Sequence, residues 1–291
     1  MRILLTGASG FIGGAVARLL SAGHEVFATV RPDSASPPNC TPVICDLSAE
    51  GEWDLPQVDA IVHAAQSRHY KEFPERAAEV FAVNVGSTQK LLDHAARCKV
   101  KSFCLLSSVS VYEPDYLQLD ERASLAPTSL NGATKFAAEL IAAPFKSIFP
   151  ISILRLAFPY GPGQVQRMIS GLIERVRAGE PVELAGADGL HFAPLYVDDI
   201  AACVQKAIEE GWSDVFNVAG PQALSLRDFT LLIGRELGRQ PVFKQSLQPA
   251  LDFNVPLDRL AAKIDVSRFT VPEAGLGRTV RAPSLQRRSI A

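Results

Sequence analysis

Glycines at positions 7, 10 and 13 form the pattern in this chain with the most definite chemistry. They lie in Thr6-Gly7-Ala8-Ser9-Gly10-Phe11-Ile12-Gly13, directly after the apolar run Ile3-Leu4-Leu5. Gly7 permits a turn too tight for a Cβ, Gly10 lets backbone approach a pyrophosphate, and Gly13 lets the following helix sit close on the strand. The open N–H groups at the helix start, with the helix dipole behind them, attract a diphosphate. The pattern predicts a dinucleotide site that includes Ser9, Phe11 and Ile12 of the turn. Two rival motifs fail. Gly7-Ala8-Ser9-Gly10-Phe11 has Phe where a nucleophile elbow needs its last Gly, and no Gly-Lys-Ser/Thr follows, as a triphosphate-binding loop requires.

Such a turn needs a strand before it and a helix after it. Strands are predicted at 2–6, 25–30, 42–44, 59–64, 101–107 and 151–157, with helices near 11–22, 74–98 and 130–147. Ala60-Ile-Val-His-Ala-Ala and Phe103-Cys-Leu-Leu are continuously apolar, as befits strands covered on both faces. The expected fold is therefore α/β: a doubly wound parallel sheet (Rossmann) with a smaller mixed α/β substrate lobe. The dinucleotide-binding domain is placed at 1–160, with 197–222 returning to it. The remainder, 161–291, forms mostly the substrate lobe, and a ligand is expected between the two. That lobe reads as a helix at 164–178, strands at 182–184 and 191–196, a helix at 198–209, a strand at 215–218 and a helix at 225–237. The tail 270–291 has weak periodicity and is expected to be loosely ordered.

The 291 residues are 47% hydrophobic and 21% charged with a net charge of −2, which suits a large globular core. Arg278, Arg281, Arg287 and Arg288 read as a solvated tail rather than a nucleic-acid footprint. No apolar stretch has membrane-spanning length, and the glycines interrupt any signal-peptide reading of the first residues. Five cysteines without Cys-x-x-Cys spacing suggest a reducing cytoplasm. His63, His69, His94 and His191 are scattered, so no metal is expected.

Several stretches together resemble the extended short-chain dehydrogenase/reductase family, which comprises nucleotide-sugar epimerases, dehydratases and related reductases. They are Thr6 to Gly13, Cys45-Asp46-Leu47, Val62-His63-Ala64-Ala65, Asn84-Val85-Gly86-Ser87-Thr88, Leu106-Ser107-Ser108-Val109-Ser110-Val111-Tyr112, Leu154-Arg155, Tyr160-Gly161-Pro162 and Tyr196-Val197-Asp198-Asp199-Ile200-Ala201. The resemblance implies that Asp46 and Leu47 meet the adenine and that Ala64, Ala65 and Ser107 lie along the cofactor. It makes Ser108 the catalytic Ser/Thr and Lys135 the lysine of a Tyr-x-x-x-Lys motif. The residues agree on Lys135: one turn into a helix on a parallel sheet, its ammonium can reach a ribose hydroxyl. The resemblance also implies a homodimer through helices 74–98 and 130–147. Val30 stands where an acid would hold the unphosphorylated ribose, and Arg31 follows, so NADP(H) is expected over NAD(H).

The family pattern breaks at Asn131, which occupies the tyrosine position in Asn131-Gly132-Ala133-Thr134-Lys135. A carboxamide neither ionises near neutrality nor transfers a proton usefully. Phe158 stands where the family places a sugar-contacting Asn, so Tyr112 and Phe158 are expected to wall the substrate pocket. Val109 and Ser110 replace the Asp-Glu pair usual in dehydratases. Three readings stay open. The first is an NAD(P)-dependent oxidoreductase or epimerase with a displaced acid/base, transferring hydride at a hydroxyl or keto carbon of a nucleotide sugar or similar small molecule. There, Ser108, Lys135 and Asn131 hold water, or Tyr112, Glu113, His69 or His191 supplies the proton. The second is a cofactor-binding pseudoenzyme acting as regulator or partner. The third is a substitution introduced at 131.

Overall fold

The computed structural model of the chain describes residues 1–32, 34–113, 118–248 and 252–282. In chain order its elements begin β1 (Arg2–Thr6), α1 (Phe11–Leu20), β2 (Glu25–Val30), β3 (Thr41–Ile44), β4 (Ala60–His63), α2 (Ala77–Phe81), α3 (Ser87–Cys98), β5 (Ser102–Ser108), α4 (Leu130–Ala142) and β6 (Ile151–Leu156). There follow β7 (Pro159–Tyr160), α5 (Met168–Ala178), β8 (Val182–Ala185), β9 (His191–Phe192), β10 (Leu195–Tyr196), α6 (Val197–Glu209), β11 (Val215–Val218), β12 (Leu224–Ser225), α7 (Leu226–Leu237), β13 (Phe243–Ser246), α8 (Asp258–Ala261) and α9 (Pro272–Arg281). The chain divides into two compact units. The first takes the described residues within 1–116, 121–156 and 200–217, and the second those within 117–120, 157–199 and 218–291.

The first unit is built on a seven-stranded sheet in the order β11-β6-β5-β4-β1-β2-β3. Its five registered pairings, from β3 to β6, are all parallel. From β1 the chain winds outward to β3, then returns to β4 on the other side of β1 and winds the opposite way. That reversal opens a crevice at the carboxyl ends of β1 and β4. Thr6 and His63 are register partners at those ends. Strands β1, β4, β5 and β6 are buried on both faces, as their unbroken apolar runs require. Leu4, Ile61, Leu91, Leu92, Phe103, Ile151 and Ile153 belong to one core cluster. Each such side chain stabilises the fold by about 1.5–3 kcal/mol through burial.

Two helices depart from their predicted course. The helix expected over 74–98 starts at Ala77 and widens into a π turn over Ala82–Gly86 before α3. Asn84 of that turn is buried; its Oδ1 accepts from Ser67 N (3.1 Å) and its Nδ2 donates to Thr134 Oγ1 (2.9 Å). The helix expected over 130–147 starts under the N-cap Ser129, whose hydroxyl accepts from Gly132 N at 3.1 Å. It tightens to a 3₁₀ turn over Ala143–Ser147, because Pro144 has no N–H for an α-helical bond.

The second unit packs α5, α7 and α9 with three short ribbons. β8 pairs parallel with β13, β9 antiparallel with β12, and β7 parallel with β10. Its core is aromatic, with Tyr160 edge-on to Tyr196 and to Phe229, and Phe192 edge-on to Phe229. Three expectations are corrected here. The helix expected from 164 begins at Met168, since Gly163 and Gln166 take positive φ. The strand expected over 191–196 is split into β9 and β10 around Ala193-Pro194. The tail expected to be loose from 270 is ordered through α9. Leu276 is fully buried, and the buried Asp199 accepts from Thr270 N (2.9 Å) and Thr270 Oγ1 (3.2 Å). A Cβ at Gly275 would stand 2.1 Å from Tyr160 Oη, so only glycine allows this approach. Residues 283–291 of the expected loose tail lie outside the described residues.

Candidate active site

The glycine turn sits at the carboxyl end of β1. Gly7 has φ +71°, and a Cβ there would lie 2.7 Å from Ala65 backbone atoms. A Cβ on Gly13 would lie 2.0 Å from the Gly7 carbonyl oxygen. Both glycines are thus required by close approach, of β1 to the β4 end and of α1 to the turn. Gly10 caps α1 without a side chain, and no acid stands in the first turn. The first-turn amides, which have no partner within the helix, face outward for an anion. Ser9 and Gly10 are exposed and Phe11 and Ile12 half-buried, as a phosphate-facing turn requires. Ala64 is half-buried and Ala65 buried alongside. These residues fit the diphosphate of a dinucleotide.

A buried network fixes this crevice. Ser87 Oγ donates to Val83 O (2.5 Å), so it accepts from His63 Nε2 (3.2 Å). His63 Nδ1 is then left to accept from Thr6 Oγ1 (2.7 Å), which itself accepts from Ala65 N (3.3 Å). Every member is satisfied with a neutral imidazole. Burial drives the His63 pKa down to about 3, helped by the charge on Lys135. His63 lies in the stretch Val62-His63-Ala64-Ala65, but nothing in its spacing marks it as the strut joining β1, β4 and α3.

Lys135 is buried, and its Nζ donates to Leu106 O at 2.8 Å, which places it against β5 just before Ser108. Burial pulls its pKa down to about 8, against the opposing pull of Glu139. Glu139 is held in turn. It accepts from Ser107 Oγ and from Arg155, whose Nη2 lies 2.6 Å and Nε 3.1 Å from its carboxylate. Arg155 Nη1 donates to Tyr112 Oη (3.0 Å), and Tyr112 Oη donates to Asn217 Oδ1 (2.8 Å). Tyr112 is buried and its pKa raised by that burial. Both roles of its hydroxyl are taken, so it works as a strut rather than as a free acid. Ser107 likewise turns inward to Glu139.

Asn131 is half-buried on the first turn of α4. Its Oδ1 accepts from Gln66 Nε2 (3.0 Å), which turns its Nδ2 toward Ser110 Oγ at 3.5 Å. Ser110 Oγ donates to Ser108 Oγ (2.9 Å), and Ser110 N donates to the same oxygen (3.1 Å). Gly132 makes this possible, since a Cβ there would lie 2.3 Å from Ser110 O. Ser108 and Asn131 are thus linked through Ser110, and Gln66 joins them, while Lys135 on the same helix as Asn131 meets β5 at Leu106 O. Neither Gln66 nor Ser110 had been singled out from the sequence. Gln66 follows Ala64-Ala65 with no motif of its own, and Ser110 was read only as the absence of a carboxylate.

The remaining expected residues are placed as follows. Arg31 is exposed just past β2, and Asp46 and Leu47 lie just past β3. Asp46 Oδ1 accepts from Ser48 Oγ (2.7 Å) and Ser48 N (2.9 Å), and these bonds hold its carboxyl below the usual range, with Arg31 adding to the effect. Glu113 is half-buried and uses its N–H on Ser124 O. His69 Nδ1 is paired with Glu72 at 2.8 Å. In the second unit Phe158, at φ +46°, packs on Phe192 (5.0 Å between centroids) and Phe253 (5.4 Å). His191 pairs with Asp252 at 2.7 Å in the same unit.

Sheet order, switch-point crevice and glycine cradle define a dinucleotide-binding protein of the doubly wound class. The chain belongs to the NAD dependent epimerase/dehydratase family, whose model matches residues 3–219. It is 28% identical to a dTDP-4-dehydro-6-deoxy-D-allose reductase of Streptomyces sp, over 98% of this chain and 97% of that protein. It is 30% identical to a dTDP-glucose 4,6-dehydratase of Streptomyces griseus, over 79% of this chain and 77% of that protein. Among solved structures it is similar to the UDP-glucuronic acid 4-epimerase of Bacillus cereus in complex with NAD (TM-score 0.83, 22% identity, 96% of this chain and 95% of that one). It is also similar to MoeE5 in complex with UDP-glucuronic acid and NAD (TM-score 0.80, 24% identity, 96% of this chain and 98% of that one).

Proposed function

We propose that this protein transfers hydride between a nicotinamide dinucleotide and a hydroxyl or keto carbon of a nucleotide sugar. The observation that carries this reading is the convergence of Ser108 and Lys135 on β5, two strands from the glycine cradle. The reductase, dehydratase and epimerase named above act on sugars carried by a nucleoside diphosphate, which supports that substrate class here. When bound, the nicotinamide supplies the hydride donor or acceptor. The chain's own residues do the rest. The turn amides hold the diphosphate, Asp46 and Leu47 meet the adenine, and the Lys135 ammonium binds ribose hydroxyls. Ser108 offers its hydroxyl to the substrate oxygen, and Tyr112 walls the substrate site.

The finer cofactor preference rests on Arg31. A guanidinium at the end of β2, with Val30 in place of an acid, suits a 2′-phosphate in charge and geometry. This favours NADP(H), although the solved neighbours named above hold NAD. A homodimer through α2, α3 and α4 is proposed as well, Phe81 and Leu140 being exposed apolar residues on these helices.

The test has two parts. Titration with NADH and NADPH, followed by nucleotide fluorescence, should give saturable binding, with Arg31→Ala weakening NADPH more than NADH. Incubation with a panel of UDP- and dTDP-sugars, in hydroxyl and keto forms, should then show turnover. Absence of binding to either dinucleotide contradicts the reading. Binding without turnover of any panel member favours the pseudoenzyme alternative.

A further inference from the structure

The hydrogen bonds around Asn131 all run in one direction. Gln66 donates to Asn131, Asn131 to Ser110, and Ser110 to Ser108 through both its hydroxyl and its backbone N–H. Ser108 Oγ therefore accepts twice, which uses both its lone pairs. What it has left to offer is its own proton. In such a chain each bond polarises the next, so the last donor is the strongest. The site ends in a hydrogen-bond donor, and no member of the chain is a base that could take a proton from an alcohol.

This matters for the direction of the reaction. A common transition state connects ketone with reduced cofactor to alcohol with oxidised cofactor. Near neutral pH the ketone side lies higher in free energy, so the barrier is lower from that side. Loss of a positioned acid/base costs about 10²–10⁴ in rate. The reaction can bear that loss when it starts from a ketone. Epimerisation and dehydration both begin by oxidising an alcohol, and for them the loss adds to an uphill step.

We propose that Gln66, Asn131 and Ser110 are positioning residues that aim the Ser108 proton at a ketone oxygen, and that the protein is a reductase of keto sugar nucleotides. This inference rests on the hydride-transfer reading above and deepens it. Hydride adds to the carbonyl carbon, and the C=O π pair moves onto oxygen. That oxygen, held by Ser108, takes a proton from water. The sugar is reduced and the nicotinamide oxidised. The substrate must come from a reaction that creates a ketone on a nucleotide-linked sugar, either a dehydration or an alcohol oxidation.

The test compares dTDP-4-keto-6-deoxyglucose plus NADH or NADPH with UDP-glucose and dTDP-glucose plus the oxidised cofactors. Dinucleotide binding is measured separately on every protein. The unchanged chain should reduce the keto sugar and neither epimerise nor dehydrate the two alcohols. Ser110→Ala should lower kcat about tenfold, the worth of one hydrogen bond of about 1.4 kcal/mol, with KM and Tm little changed. Ser110→Thr, which keeps the hydroxyl, should restore most of the rate. Alcohol turnover at a rate comparable with ketone reduction overturns the proposal and leaves hydride transfer standing. A Ser110→Ala enzyme as fast as the parent overturns the donor chain, and bound cofactor without ketone reduction overturns the reductase assignment. A chain that binds neither dinucleotide fails at the earlier reading instead.

Discussion

Gln66 Nε2 lies 3.0 Å from Asn131 Oδ1, so the loop after β4 grips the side chain that stands in the expected tyrosine position. This bond turns the Asn131 amide nitrogen toward Ser110. Replacing Asn131 with tyrosine removes the grip and places a phenol near Lys135. Asn131→Tyr should raise the rate of alcohol oxidation by about 10²–10⁴, the usual worth of one positioned acid/base. The rate of cofactor reduction by UDP- or dTDP-sugars, compared with the parent chain, measures this directly.

Gly13 has no room for a side chain, because a Cβ would fall 2.0 Å from Gly7 O. Gly13→Ala must push α1 off the turn or distort the turn itself. Overpacking of this kind costs about 1–3 kcal/mol, and here the upper end is expected. Gly10→Ala meets only a 3.1 Å contact and should be milder. Urea unfolding and dinucleotide titration of both variants should rank them in that order.

Lys135 carries a pH signature. Burial sets its pKa at about 8, against 10.5 for an ordinary lysine. Below about 8 the ammonium is charged and available to ribose hydroxyls, so dinucleotide affinity should fall as pH rises through that value. Stability moves the other way. Between the two values the unfolded chain binds more protons than the folded one, so the Lys135 contribution to stability rises with pH across that window. Lys135→Met should remove both trends and weaken cofactor binding at all pH values.

Glu139 and Arg155 form a buried ion pair, with Nη2 2.6 Å from Oε2. Deleting Glu139 leaves Arg155 buried and charged without a counter-ion, holding only its bond to Tyr112 among the described residues. Glu139→Ala should therefore destabilise the first unit by about 3–5 kcal/mol, whereas surface pairs are worth ~0–1 kcal/mol. The exposed pair Lys206–Glu210 serves as the control. Chemical denaturation of Glu139→Ala and Lys206→Ala, the second of which leaves Glu210 to accept from Trp212 Nε1, should separate them clearly.

His63 predicts acid sensitivity. Its folded pKa is held at about 3, against 6.5 for an ordinary histidine. Between these values the unfolded chain takes up a proton that the folded chain refuses, so stability falls as pH drops through that window. His63→Asn should be less stable at neutral pH and should show a flatter loss on acidification. Urea midpoints at about pH 7 and about pH 4 give the slope.

The first half of the fold was readable because its signals are local. Strand, glycine turn and helix occur within twenty residues, and the apolar runs at Ala60 and Phe103 are long enough to indicate burial on both faces. The second unit was less readable. Two-residue strands such as Pro159–Tyr160 and Leu224–Ser225 carry no periodicity, and the order of α9 depends on Asp199 and Tyr160, distant in sequence. The same divide runs through the site. Ser108 and Lys135 stood in motifs, so their positions could be expected. Gln66 and Ser110 act through side-chain bonds across 65 and 21 residues of sequence, which no spacing rule reports.

Hydride transfer by this protein is tested most directly by following the hydride itself. The chain is incubated with dTDP-4-keto-6-deoxyglucose and reduced dinucleotide carrying deuterium at both C4 positions of the nicotinamide, and the sugar product is analysed by mass spectrometry. The product should carry a single deuterium on the former carbonyl carbon, formed by the chain with Asn131 in place. Saturable dinucleotide binding with no deuterium reaching the sugar would contradict hydride transfer.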